Sequence, residues 1–444
     1  MAAPRLCLCL IARNEERMLQ DCLASARDAV DEIVLVDTGS TDGTRELARA
    51  AGAVVVDRPW DDDFAAPRNL ALERASGEWI LQLDADERLH PGAGKVIRAA
   101  IARAGFDVGF LRLHNASRID ASAASVVSGK ARYGEPHLLP RILRHTADLR
   151  YEGIIHESVT EWAAARGNRF RRLDADIVHL GYVAAVETGR EKKRRNVAML
   201  LKRVEREPKS VIPLAYLAAE MVAARDFDGA AEVAERGFAL LPLQPKHLPI
   251  RRLLVSRAVA AVHRNELAKV HESVERAEAH EGPNPDYDYL RGCAWESEAN
   301  ALPAEDPRRR ELWERSARAY GRTVAEVRRG GWVQVMVAGE AEAMTRLGTV
   351  LLRLGEFARA RSALAEARAA GAGEAVRTAE AEALVGEGEP ARALEVLEPL
   401  LKEGGGQAQA WAVAARAALS LGAQSDAAIF LARAQAIVKG SVCP

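Results

Sequence analysis

Four short apolar runs open the chain, and each ends abruptly in polar residues. Leu6-Cys7-Leu8-Cys9-Leu10-Ile11-Ala12 gives way to Arg13-Asn14-Glu15-Glu16, and Glu32-Ile33-Val34-Leu35-Val36 to Asp37-Thr38-Gly39-Ser40-Thr41-Asp42-Gly43-Thr44. Ala53 to Val56 runs into Asp57-Arg58-Pro59-Trp60, and Trp79-Ile80-Leu81-Gln82-Leu83 into Asp84-Ala85-Asp86-Glu87. The first two runs are continuous rather than alternating, as in strands buried on both faces. Helical patterns separate them. Behind Asn14, placed as an N-cap, Met18, Leu19, Cys22, Leu23 and Ala26 recur at helical spacing, and further helices are predicted from Arg45 to Ala51 and around Arg68-Asn69. This alternation over about 90 residues predicts a parallel sheet with right-handed crossovers and a crevice at the strand ends.

The polar residues fall where that crevice should be. Alternation along an extended chain puts Asp84 and Asp86 on one side, with Ala85 turned away. Two oxygen ligands so placed suit a hard divalent cation, Mg2+ or Mn2+, able to grip a diphosphate. Gly39 and Gly43 permit close approach of a ligand to the turn, and Asp37 is placed to accept hydrogen bonds from a ribose or a base edge. Each loop alone has a bland reading: Asp-x-Asp as a solvated acidic turn, Thr-Gly-Ser-Thr-Asp-Gly as a capped one. Four such loops at one sheet edge make a site the better reading.

These residues carry a resemblance. Ala12-Arg13-Asn14-Glu15-Glu16, Val36 to Thr44, Ala66-Pro67-Arg68-Asn69 and Leu83-Asp84-Ala85-Asp86-Glu87 resemble family 2 glycosyltransferases of the GT-A fold, which use a nucleotide-sugar donor and a divalent metal and transfer with inversion. The resemblance implies that Ala12, Asn14, Asp37 and Asp42 hold the nucleoside, that Arg68 lies near the nucleotide or diphosphate, and that Asp84 and Asp86 address ribose and metal. Arg13, Ser40 and Ala85 belong to the same donor-binding set. The likeness continues through Pro140-Arg141-Ile142-Leu143-Arg144, Tyr151-Glu152-Gly153-Ile154-Ile155-His156-Glu157 and Val178-His179-Leu180-Gly181-Tyr182. That set is similar to the bacterial family 2 branch with C-terminal tetratricopeptide repeats, which includes the sublancin-type peptide S-glycosyltransferases.

Transfer from such a donor needs the leaving diphosphate neutralised, the acceptor positioned and, in most cases, a base. Asp86 is expected to hold the metal, with His179, at the end of the strand-like Ala175 to Val178, as a further ligand. Glu157 is the first choice for the base and His156 the second, because the apolar Ile154-Ile155 predicts a partly buried carboxylate of raised pKa. A lone histidine at a strand end is more often structural, and His156 could equally orient its loop.

Between these motifs the chain is less legible. Ala93 to Ala104 reads as a helix, Asp107 to Leu113 as a strand and Ile119 to Lys130 as a Ser/Ala-rich loop, which the resemblance implies would face the acceptor. Glu187 to Glu207 is a charged amphipathic helix, whose Lys192-Lys193-Arg194-Arg195 reads as a solvated face. Beyond it, Gly355-Glu356-Phe357-Ala358-Arg359-Ala360, Gly388-Glu389-Pro390-Ala391-Arg392-Ala393 and Gly422-Ala423-Gln424-Ser425-Asp426-Ala427 recur at intervals of 33 and 34, with Leu364, Leu397 and Leu431 four residues after each last alanine. Asp226-Phe227-Asp228-Gly229-Ala230 fits the same pattern, and segments 248–281 and 285–322 read as less regular helix pairs. A period near 34 is the tetratricopeptide signature, in which small residues let paired helices approach. The predicted organisation is an α/β GT-A (Rossmann-like) domain over 1–185, a connecting helix over 186–207 and an all-α tetratricopeptide solenoid over 208–444.

Composition sets bounds. A formal net charge of −1 argues against general nucleic-acid binding, and no run of about 18 uncharged apolar residues predicts a membrane span. Five cysteines without metal-ligand spacing predict a reducing, cytoplasmic setting, with Cys7 and Cys9 in the core. The expected activity is transfer of a sugar from a UDP-hexose or UDP-N-acetylhexosamine to a peptide or protein held on the repeats, with Mn2+ or Mg2+ as cofactor. The acceptor atom stays open, as does a homodimer through the solenoid edge. The rivals are a repeat scaffold with an inactive GT-A-like domain, a transferase acting on a cell-envelope glycan or other small acceptor, and a nucleotidyltransferase. The last would carry a Gly-rich basic phosphate loop after the first strand, which Ala12-Arg13-Asn14-Glu15-Glu16 is not.

Overall fold

In the computed structural model, which describes residues 4–134, 136–181, 189–243, 250–329, 337, 339–373, 375–402 and 407–440, β1 (Leu6–Ala12) is the axis of the first unit. It pairs in parallel with β2 (Glu32–Asp37) and β4 (Trp79–Gln82), and β2 pairs in parallel with β3 (Val54–Asp57). The register sets Ala12 opposite Asp37 and Asp37 opposite Asp57, so the polar loops leave from one edge. The four apolar runs thus form the expected parallel strands. The other half of the sheet is mixed: β5 (Glu87–Leu89), β6 (Val108–Asn115), β7 (His137–Arg144) and β8 (Phe170–His179) complete the order β3-β2-β1-β4-β7-β6-β8-β5. β7 runs antiparallel to both β4 and β6, and β5 antiparallel to β8.

Side chains of β1 serve two cores, as a two-residue period requires. Leu6, Leu8 and Leu10 pack with Leu19 and Leu23 of α1 (Glu16–Ala26) and Ile97 and Ile101 of α4 (Ala93–Arg103). Cys7 and Cys9 face the opposite layer, with Ala71 and Leu72 of α3 (Ala65–Arg74) and Trp162 of α6 (Thr160–Ala165). Both thiols are buried and free, as expected of core residues. α2 (Thr44–Ala50) follows the β2 loop. Inside the expected loop 119–130 lies a short helix, α5 (Ala123–Val127), which Ser122 caps through its Oγ, accepting from Ser125 N at 3.2 Å. A serine cap followed by alanines was enough to nucleate one turn.

The first unit takes in residues up to Leu217 and 240–249, and includes α7 (Gly189–Arg206) and the first half of α8 (Val211–Ala223). The second, 218–239 and 250–444, is helical throughout its described residues. Its helices pair as Arg251–His263 with Leu267–Glu281, Pro285–Ala301 with Arg308–Arg329, Glu340–Leu354 with Phe357–Ala369, Ala375–Gly386 with Pro390–Lys402 and Ala408–Ser420 with Gln424–Gly440, a tetratricopeptide-like solenoid. Gly355, Gly388 and Gly422 lie at φ 77°, 80° and 77°, the left-handed position that ends a helix. Ala360, Ala393, Leu364 and Leu397 are fully buried. Leu431 departs from that pattern at 50% exposure, because its helix is the last one described and no later helix covers it. Among the described residues no helix is long and apolar enough to cross a membrane.

Candidate active site

The loops after β1 and β2 are knitted together. Asn14, at φ 57°, does not cap α1; the N-cap position is Glu15, and the Asn14 amide is spent across the crevice. Its Oδ1 accepts from Thr41 N at 2.8 Å, while its own N–H donates to Ser40 Oγ at 2.9 Å. Asp42 ties the same loops, accepting from Thr44 N at 3.1 Å and Glu16 N at 3.2 Å. Asp37 is buried, and its Oδ1 accepts from Gly39 N at 3.1 Å and Ser40 N at 2.9 Å. Its Oδ2 is buried without a hydrogen-bond partner among the described residues. Such an oxygen is costly unless a ligand donates to it. Ala12 is buried at the strand end and Arg13 is exposed beside it.

The acidic stretch is a turn. β4 ends at Gln82, and Glu87 N donates back to Asp84 O at 2.9 Å. Asp84 and Asp86 therefore do not share one side of an extended strand, as alternation predicted. The tight turn sends them to different partners. Asp84 accepts from Arg68 Nη2 at 3.0 Å and Arg141 Nη2 at 3.2 Å. Burial opposes its charge, but the two guanidiniums outweigh that and hold its pKa well below the usual carboxylate range. Glu87 is fully buried on β5, bonded to Arg141, and its Oε2 accepts from Asp84 N at 3.1 Å. Burial, with Asp84 and Asp86 close by, pushes its pKa up to about 7 despite Arg141.

Asp86 meets His179 instead, with Oδ2 3.4 Å from Nε2. The imidazole Nδ1 is 2.7 Å from Asn115 Oδ1, the arrangement in which a second partner orients a metal-binding histidine. Burial disfavours the charged ring, but the Asp86 carboxylate overrides it and raises the pKa above the ordinary value. Among the described residues no three His, Cys, Asp or Glu side chains converge as a complete metal cage. Two protein ligands fit a cation that takes its remaining oxygens from a diphosphate and water.

Arg68, on α3, is the hub of the other side. Its Nε donates to Glu157 Oε1 at 2.5 Å, and its Nη1 is buried without an acceptor among the described residues. The Nε of Arg141 is left in the same state. Asn69 anchors the following loop by exchanging hydrogen bonds with the Tyr151 backbone at 3.0 and 2.8 Å. Arg68, Asp84, Arg141, Tyr151, His156 and Glu157 line one cleft of ≈ 510 Å³. Asn14 and Asp42 line a second, of ≈ 760 Å³, with Arg88 and Ile119. Ala85, buried, lines neither.

Several site residues escaped the sequence reading. Arg141 was visible as a lone charge between the apolar residues of a strand, a signal for a buried partner. Glu87 was visible only as the last acid of the Asp84-Ala85-Asp86-Glu87 stretch, with no role of its own, and Asn115 gave no sign. Tyr182 lies outside the described residues.

The mixed sheet of GT-A type, with acids and arginines gathered at its strand ends, is that of a glycosyltransferase class of domain. Residues 7–155 match the family model described as "Glycosyl transferase family 2", so the first unit carries a family 2 glycosyltransferase domain, here joined to tetratricopeptide-like repeats. A TPR repeat-containing protein of Synechococcus elongatus is 36% identical over 162 residues, 36% of each chain. The SPbeta prophage-derived glycosyltransferase SunS of Bacillus subtilis is 25% identical over 213 residues, 47% of each chain. The chain thus spans less than half the length of these curated relatives. Glucosyl-3-phosphoglycerate synthase from Mycobacterium tuberculosis, in a structure with Mn2+, UDP-glucose and phosphoglyceric acid, is similar over 25% of this chain and 44% of its own, at 24% identity and TM-score 0.23.

Proposed function

We propose that this protein is an inverting, metal-dependent glycosyltransferase that moves a hexose or N-acetylhexosamine from a UDP-sugar to a peptide or protein side chain. The observation that carries this reading is the pairing of Asp86 with an Asn115-oriented His179, beside an Asp84 clamped by Arg68 and Arg141. Asp37 Oδ2 is the acceptor open to the nucleoside, with Ala12, Arg13, Asn14, Ser40 and Asp42 shaping the turn around it. The unpartnered nitrogens of Arg68 and Arg141 are donors for the departing diphosphate. Asp86 and His179 would hold Mn2+ or Mg2+, which supplies Lewis-acid neutralisation of the leaving group.

In the transfer, the acceptor atom attacks the anomeric carbon as the bond from that carbon to the diphosphate oxygen breaks, and the electron pair leaves with UDP. The acceptor proton goes to Glu157. Arg68 occupies Oε1 and leaves Oε2 to take the proton. His156, the neighbouring residue in the same cleft, is the second choice, and a thiolate acceptor would need neither. The similarity to SunS and the tetratricopeptide-like repeats support a peptide or protein acceptor, since stacked repeats present extended binding surfaces.

A screen of UDP-sugars with Mn2+, reading UDP release and sugar-adduct mass on peptide, glycan and lipid acceptors, tests the proposal. UDP release with an adduct on peptide is the expected result. Binding without turnover of any donor would leave the scaffold reading, and an adduct confined to glycan would move the acceptor class.

A further inference from the structure

The loop that carries His156 and Glu157 takes its shape from helices beyond the sheet, past the end of the family-model match at residue 155. Its base is closed by reciprocal hydrogen bonds between Glu152 and Ser158, 2.9 and 3.0 Å. From the N-cap of α3, Phe64 N donates to Ile154 O at 2.8 Å. From α7, Arg203 donates its Nη1 to Ile155 O at 2.5 Å and to His156 O at 3.4 Å, while its Nε is held by Glu207 Oε1 at 2.8 Å. Three successive carbonyls of the loop are therefore claimed, two of them by one guanidinium.

The backbone is built around that guanidinium. Gly153 sits at φ +90°, and a Cβ there would overlap Arg203 Cζ and both terminal nitrogens. Arg203 is only 5% exposed, so its charge is committed to the loop and to Glu207. His156 is held at φ 51°, a left-handed conformation that a β-carbon resists, so other contacts must impose it. One of them is Tyr216 of α8, whose ring stacks on the imidazole at 3.8 Å between centroids and 6° between planes.

We propose that Arg203 and Tyr216 are positioning residues for the reaction: they fix the loop so that His156 and Glu157 face Arg68 and the cleft. This rests on the reading of that cleft as the acceptor side of a sugar-transfer site. Arg203 fixes the backbone from behind, and Tyr216 fixes the plane of the imidazole. Neither touches the reacting atoms. The helices after the sheet are then part of the active site, and a chain cut before Tyr216 would carry the donor loops without an ordered base.

The test uses the full chain with Arg203→Met, Arg203→Lys, Tyr216→Ala and Tyr216→Phe. Two readouts are taken: the His156 ring proton resonance, assigned with His156→Gln, and hydrolysis of UDP-glucose with Mn2+. Arg203→Met and Tyr216→Ala should each move the His156 resonance away from its ring-shifted position. They should lower kcat on the order of 10²-fold while leaving KM for UDP-glucose near the wild-type value, as a misplaced catalytic group does. Tyr216→Phe keeps the stack and should keep kcat, and Arg203→Lys, with a single donor nitrogen, should recover part of it. Should Arg203→Met fail to fold, Tyr216→Ala on the other helix carries the same comparison. A His156 resonance unmoved in Arg203→Met or Tyr216→Ala, or a kcat within about twofold of wild type, overturns the proposal. If the wild-type chain turns over no UDP-sugar while the resonance shifts as expected, the loop assignment stands and the transferase reading falls.

Discussion

Gly181 lies so close to Asp86 that any β-carbon at position 181 would have to push the carboxylate or the His179 ring aside. A Cβ there would fall inside the van der Waals surface of Asp86 Oδ2 and 2.8 Å from His179 Nε2. The Leu180 N–H also donates to Asp86 O at 3.0 Å, so the acidic turn and the end of the histidine strand are locked to one another at the point where both would meet a metal. Gly181→Ala should displace the carboxylate or the imidazole without reaching the core. Mn2+-dependent binding of UDP should fall roughly 10- to 100-fold, the usual cost of disturbing a ligand's support. Isothermal titration with and without a chelator checks this. A variant that still needs Mn2+ and binds as tightly as wild type would show that the pair is not the metal site.

Arg141 balances two carboxylates at once, Asp84 and the buried Glu87. Arg141→Met leaves the buried Glu87 uncompensated and Asp84 with Arg68 alone, and should cost about 3–5 kcal/mol at neutral pH. Glu87 sets the sign of the pH dependence. Its folded-state pKa is already raised, so the folded chain binds more protons than the unfolded one between the ordinary glutamate value and about pH 7. Without Arg141 it rises further, and the penalty should shrink as pH falls through that window. Denaturant titrations of both proteins from pH 5 to pH 8 read the difference. A gap that widens towards pH 5 would contradict the assignment.

The features that were legible in the sequence are those a local rule determines. The parallel strands β1 to β4 are short apolar runs with helices between them, and the three recurrent glycines mark left-handed helix ends. The same helix ending recurs where no glycine announces it. Arg225 (φ 62°) and Asn265 (φ 57°) hold the position, with Asp226 N donating to Met221 O and Glu266 N to Ala261 O as Glu356 N does to Leu351 O. That is why segment 248–281 looked irregular. The mixed half of the sheet, the split of Asp84 from Asp86 and the reach of Arg203 into the loop all depend on residues tens of positions apart. A period or a spacing cannot report them. In Arg203 and Glu207 the sequence shows only an i,i+4 pair, ordinary on a solvated helix.

Glu157→Gln preserves the side chain's size and an oxygen to accept from Arg68 Nε, but it cannot take a proton. Transfer should drop by about 10²-fold or more with UDP-sugar affinity intact. Rates under saturating donor, beside a binding isotherm for the same variant, separate the two quantities. Full activity in Glu157→Gln would pass the role to His156, or to no protein base at all.

Asp176 offers a check on the sheet that is independent of chemistry at the cleft. It joins β8 to β6, accepting from Arg112 Nε at 2.6 Å and Nη2 at 3.1 Å, with His114 Nε2 2.8 Å from Oδ1. Burial opposes its charge, but the hydrogen bonds from His114 and Arg112 prevail and hold its pKa below the ordinary aspartate value. A group whose folded-state pKa is depressed contributes stability above its unfolded pKa, near 4, and loses it as pH falls through the folded value. Asp176→Asn should therefore cost on the order of 1–3 kcal/mol at pH 7, the scale of hydrogen bonds to a charged group. The gap between variant and wild type should close as pH drops below about 4, where the wild-type carboxyl takes up its proton. Urea unfolding of both chains from pH 7 to pH 3 measures it, and a gap that stayed constant over that range would mean the charge of Asp176 contributes nothing to the β6–β8 seam.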